Sequence, residues 1–201
     1  MMFKWLSFLL IVSTCCLVVS EVSATGPSFD CEKVESGSIE ELVCKDEGLS
    51  ALDTKLAVVY SEATQKAINE QPPALKAEQR GWIKGRNDCW KRNDLRKCVE
   101  EEYKRRIAEL QARYRLIPGS GPISYACNDD PHSRVIVTFF QTDPPTLIAE
   151  RADSVSLMYL QPCGSGTKYQ GRNETFWEHH NCEALITWGY GAKEMHCKRA
   201  P

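Results

Sequence analysis

The sequence has only four histidines. It contains neither a G-x-S-x-G nor an H-E-x-x-H segment, so two common hydrolase signatures are missing. It also lacks an excess of either charge. Residues 25–115 carry 17 Lys/Arg and 17 Asp/Glu, and residues 116–201 carry 7 and 9. That balance gives no basic footprint for nucleic acid. No apolar run reaches the ~20 residues of a membrane-spanning helix. No repeat and no low-complexity tract is found. No metal or other cofactor is implied: His179, His180, Cys182 and His196 fit no standard ligand spacing. Glu100-Glu101-Glu102, beside Lys104-Arg105-Arg106, reads as a solvated helix face. An enzyme is therefore not expected.

What is present begins with an export signal. Lys4 precedes the uncharged stretch Trp5–Val19, and Val22-Ser23-Ala24 ends in small residues. Residues 1–24 read as a cleaved signal peptide, which places the mature chain in the periplasm or outside the cell. Lipidation at Cys15 or Cys16 fits less well, because apolar Leu17-Val18-Val19 would stay on the mature chain. Cleavage after Ala24 leaves eight of the ten cysteines: Cys31, Cys44, Cys89, Cys98, Cys127, Cys163, Cys182 and Cys197. An even number in an exported chain predicts a disulfide framework.

The hydrophobic period then divides the chain. Residues 28–115 read as a small helical bundle. Ser38 caps a short helix to Lys45, and Ser50 or Asp53 caps a longer one through Leu56, Val59 and Ala63. Gln71-Pro72-Pro73 breaks it. Further helices are predicted from about Ala74, and from about Asp94 to Arg115. Residues 116–122, Leu-Ile-Pro-Gly-Ser-Gly-Pro, read as a linker. Beyond it the period becomes two, and residues 123–201 read as an antiparallel β-barrel or sandwich. The predicted strands are 134–140, 146–151, 155–161, 174–177 and 184–188. The fold class is α+β by domain.

Two stretches carry resemblances. Cys31, Val43-Cys44, Leu52-Asp53, Gln79-Arg80-Gly81-Trp82, Arg86-Asn87-Asp88-Cys89, Cys98 and Arg106-Ile107 resemble the LprI family of lysozyme inhibitors. Tyr125-Ala126-Cys127, Ser165-Gly166-Thr167-Lys168-Tyr169, Phe176-Trp177, Glu183-Ala184 and Cys197 resemble MliC, inhibitors of c-type lysozyme found in Gram-negative bacteria. The second resemblance implies a protein partner, c-type lysozyme, whose cleft is occluded by the Ser165 loop and by the loop after Trp177. An envelope interaction or stress protein that does not inhibit lysozyme is the alternative.

The resemblance also nominates residues. Ser165, Gly166, Lys168, Tyr169 and His179 form the expected lysozyme-binding set. Gly164 and Gly166 let Ser165 occupy a tight tip, although Gly164-Ser165-Gly166 also suits an ordinary hairpin turn. His179 stands at the offset of a lysine that helps the family block its enzyme. Lys168 or Arg172 is a substitute cation. Tyr169, Phe176 and Trp177 pack or shape the loops. The resemblance implies a Cys127–Cys197 bond, which leaves Cys163 and Cys182 to each other. In the helical half, nested Cys31–Cys98 and Cys44–Cys89 bonds are expected.

Overall fold

Ser38 is where the amino-terminal chain turns helical. Its hydroxyl accepts from the Glu41 amide at 3.1 Å, and the Glu41 carboxylate accepts from the Gly37 amide at 2.8 Å. The Ser38 hydroxyl thus satisfies one amide of the open first turn, and the Glu41 carboxylate ties down the residue before the cap. The structure, a computed structural model, describes residues 26–71, 73–179 and 183–200. The expected signal peptide, residues 1–24, lies outside them.

Helix α1 spans Ile39–Lys45, α2 Glu47–Lys66, α3 Leu75–Asn87 and α4 Leu95–Arg113. The cap of α2 is Asp46, which accepts from the Leu49 amide at 2.9 Å, and not Ser50 or Asp53. Those two lie about one and nearly two turns inside the helix, where their side chains serve the interior. The Ser50 hydroxyl donates to the Val43 carbonyl at 2.7 Å, and the buried Asp53 accepts from the Tyr103 hydroxyl at 2.9 Å. Asp94 caps α4 by accepting from the Lys97 amide. Val43, Leu49, Leu56, Val99, Tyr103, Ile107 and Leu110 fill the core between the helices.

The helical disulfides are local and not nested. Cys31 pairs with Cys44, and Cys89 pairs with Cys98. Each joins a single-turn 3-10 segment to the neighbouring helix, α1 in one case and α4 in the other. Both loops are short, with separations of 13 and 9 residues. The bonds therefore fix connections between consecutive elements.

Eight strands follow: β1 Gly119–Cys127, β2 Asp130–Phe140, β3 Thr146–Arg151, β4 Ser154–Gln161, β5 Thr167–Gln170, β6 Glu174–Glu178, β7 Glu183–Trp188 and β8 Met195–Arg199. Each pairs antiparallel with the next, and β8 pairs with β1, giving a closed up-and-down barrel. β1 begins inside the segment read as a linker. β1, β5 and β8 are additional to the predicted strands. Inward side chains fill the interior, among them Tyr125, Val135, Leu147, Met158, Phe176 and Ile186, as expected for a barrel of this size. Closure rests on three residue pairs between β1 and β8, the last being Cys127↔Cys197. Those two cysteines form the expected disulfide.

The two halves touch directly. After α4 the chain takes a left-handed turn at Arg115 (φ 50°), and the Leu116 amide donates back to the Gln111 carbonyl at 2.9 Å. This closes the helix end. Ala112 of α4 is buried with Phe140 of β2 and Ile148 of β3, flanked by Ile117 and Leu157. An Arg115–Glu150 ion pair at 3.3 Å borders this seam.

Candidate functional site

In an up-and-down barrel, every second connection emerges at the same end. The β4–β5 connection, residues 162–166, therefore shares an end with the β6–β7 connection after Glu178. Strand register sets them side by side, because Thr167 opposes Glu178 and Lys168 opposes Trp177.

Ser165 and Gly166 are exposed at the tip. Gly166 has φ +71°, and a Cβ there would collide with the Glu178 carbonyl oxygen. Only glycine lets the loop lie this close to β6. The Trp177 indole N–H donates to the Ser165 carbonyl at 3.0 Å. The Lys168 ammonium lies 5.3 Å from the centre of the same indole ring, a cation–π distance. The centre of the His179 ring lies 4.3 Å from that of Trp177. The His179 backbone amide donates to the Glu183 carbonyl at 2.8 Å, closing the base of the second connection. The His179 Nε2 is buried without a hydrogen-bond partner among the described residues.

The structure thus brings Ser165, Gly166, Lys168 and His179 together around Trp177. Tyr169 is placed differently. It lies in the barrel core against Phe139, with ring centres 5.6 Å apart, and is buried like Phe176. Burial, then the nearby Glu178 carboxylate, holds its phenol above the usual range. Tyr169 underlies the loop from inside and offers little surface. Arg172 is not brought to this cluster, because it sits in the β5–β6 turn at the opposite end of the barrel. Cys163 is exposed and, among the described residues, a free cysteine; its thiol donates to the Gly166 carbonyl at 3.3 Å. Cys182, its expected partner, lies outside the described residues, as does His180.

One residue and one cavity went unassigned from sequence. Glu178 accepts from the Tyr125 hydroxyl at 2.5 Å and so ties the second connection to β1. His179 also borders a cavity of about 440 Å³, with Asn128, Asp129, Glu183, His196 and Lys198 on its walls. These are outward or turn positions on strands far apart in sequence, with no short motif to reveal their meeting. Among the described residues no group of His, Cys, Asp or Glu is arranged to hold a metal ion, and no helix is long and apolar enough to cross a membrane.

Comparison with known proteins covers both halves. Residues 31–110 match the family described as lysozyme inhibitor LprI. Residues 125–195 match the family described as membrane-bound lysozyme-inhibitor of c-type lysozyme. Relatives named Lipoprotein LprI, from Mycobacterium bovis and Mycobacterium tuberculosis, are 26% identical over 182 residues. The match covers 88% of this chain and 90% of theirs. No solved structure matches.

Proposed function

We propose, for a chain that joins an LprI-type helical domain to an MliC-type β-barrel, that it inhibits c-type lysozyme by occluding the active-site cleft. The Ser165 loop and the connection after Trp177 enter the cleft together. The observation that carries this reading is the clustering of Ser165, Lys168 and His179 around one indole at one barrel end.

The chemistry required is modest. The target enzyme works with two carboxyl groups flanking the scissile sugar bond. A hydroxyl donates to a carboxylate or accepts from a carboxylic acid, and an ammonium forms a charge-assisted bond to the ionised partner. Ser165 supplies the first and Lys168 the second, with His179 beside them. A tip pre-set by Gly166 and Trp177 loses little freedom on docking. A Cys163–Cys182 bond would join the two loops and strengthen that effect. Export by the amino-terminal signal sets the inhibitor in the cell envelope or outside it, and the relatives named as lipoproteins fit an envelope setting.

The test is lysis of a peptidoglycan suspension by c-type lysozyme with the mature, oxidised chain added. Dose-dependent slowing is expected. Full lytic activity at large molar excess of the protein would overturn the reading.

A further inference from the structure

At the barrel end opposite the Ser165 loop, the helical half and the barrel enclose a second groove of about 450 Å³. Its walls come from α4 (Arg105, Glu109, Arg113), from β4 (Val155, Ser156, Leu157, Tyr159) and from the β5–β6 turn (Gln170 to Glu174). Clefts between domains are common ligand sites.

The charges in this groove are unequally committed. Glu109 is held by Arg106 at 2.8 Å and by Arg113 at 3.2 Å. Glu174 accepts from the Ser156 hydroxyl at 2.9 Å and from the Asn173 amide at 3.2 Å. Arg105 and Arg172 have no carboxylate partner among the described residues. Arg105 instead lies over the Tyr159 ring at 4.3 Å, while the Tyr159 hydroxyl donates to the Arg105 carbonyl at 3.3 Å. That contact orients the guanidinium. The acids are thus satisfied internally, and two planar five-donor cations line the same cleft. Such forks match carboxylates in geometry and charge. On the β5–β6 turn the Gln170 amide is spent on the Gly171 and Glu174 carbonyls, at 3.2 and 3.0 Å, so the exposed Asn173 side-chain amide is the group there that supplies a hydroxyl partner.

We propose that this groove binds a carboxylate-bearing saccharide, with Arg105 and Arg172 receiving the carboxylate. The chemistry is shared by muramyl sugars of cell-wall glycan and by uronic acids. The site lies away from the Ser165 loop, so occupation leaves that loop free. A protein held on glycan through this groove would stand where a glycan-cleaving enzyme arrives.

The experiment is titration of the mature chain, followed by NMR, with N-acetylglucosaminyl-N-acetylmuramic acid and, separately, with a digalacturonate. Amide shifts around residues 170–174 and 155–159 that saturate with either sugar are expected, and the tighter ligand identifies the source. Converting the carboxylate to its amide should weaken binding at least about tenfold, as should Arg172→Ala, for loss of a charged hydrogen bond. Among the described residues Arg172 makes no hydrogen bond or ion pair to the helical half, so its variant tests the site without removing a bond of the seam. Arg105→Lys keeps the charge but loses the fork, and should weaken binding similarly. Absence of saturable binding by both sugars in the millimolar range would overturn the proposal. So would equal affinity for the amide, or unchanged affinity in Arg172→Ala. Failure of lysozyme inhibition has no bearing on these outcomes.

Discussion

The indole N–H of Trp177 donates to the carbonyl of Ser165 at 3.0 Å, so one strand's aromatic residue holds the tip of the neighbouring loop. Trp177→Phe keeps a ring beneath Lys168 and removes the donor. It should cost about 0.5–1.5 kcal/mol of stability, less if water replaces the bond, and it should weaken lysozyme inhibition more than it lowers the urea midpoint. Urea unfolding and lysis assays on one preparation separate the two effects.

Ser165→Ala and Lys168→Ala should each reduce lysozyme affinity by ~1.5–3 kcal/mol, the range for a hydrogen bond to a charged group. Arg172→Ala, at the far end of the barrel, should leave that affinity unchanged. Isothermal calorimetry with the three variants checks the assignment. Equal losses in all three would place the contact elsewhere.

In the helical half, Arg86 is buried beside the rings of Trp82 and Tyr103, pairs with Glu40, and donates to the Tyr103 hydroxyl at 2.7 Å. Tyr103 in turn donates to Asp53 at 2.9 Å. Arg86→Ala leaves these acceptors without their cation and should destabilise the domain by about 3–5 kcal/mol. Lysine should not rescue it, because it lacks the planar fork. Chemical denaturation followed by Trp82 fluorescence reads the loss.

The Cys127–Cys197 bond spans 70 residues and sits at the end of the short β1–β8 pairing. Replacing both cysteines with serine should lower stability by about 2–5 kcal/mol. Unreduced peptide mapping of the native protein should recover this pair together with Cys31–Cys44 and Cys89–Cys98.

Tyr159, under Arg105, has its phenol pushed up from 10.0 to about 12, chiefly by burial and then by Glu109. Below pH 10.0 the phenol is neutral in folded and unfolded chains alike. Between 10.0 and about 12 the unfolded chain loses a proton that the folded chain keeps, so stability falls as pH rises through that window. Tyr159→Phe should flatten this alkaline decline in thermal melts.

Much of this architecture is legible in the sequence, and the omissions have physical causes. Ser38 and Asp94 stand directly before their helices, so their capping roles are local and readable. Asp53 satisfies the same chemical criterion but faces Tyr103, fifty residues away. β2, β3, β4 and β7 contain apolar runs that declare a strand. β5 (Thr-Lys-Tyr-Gln) and β8 (Met-His-Cys-Lys-Arg) contain few apolar residues, and their extended form comes from pairing with neighbours. β1 opens with Gly119-Ser120-Gly121-Pro122, a composition typical of loops, yet Gly119 and Ser120 pair with Phe140 and Phe139. At the candidate site, the Ser165 tip was readable from its glycines. The core position of Tyr169 follows from strand alternation, and the exclusion of Arg172 follows from which end of the barrel its turn occupies. Both require the topology.

The pairing of β6 with β7 runs from Glu174↔Trp188 to Glu178↔Ala184, and is complete before the connection begins. Residues added to or removed from that connection leave every rung of the ladder in place. The reach of the second loop is therefore separable from the integrity of the barrel. Under the proposed function, that loop can be lengthened, shortened or recharged to suit a different lysozyme, and the remainder of the molecule need not adapt.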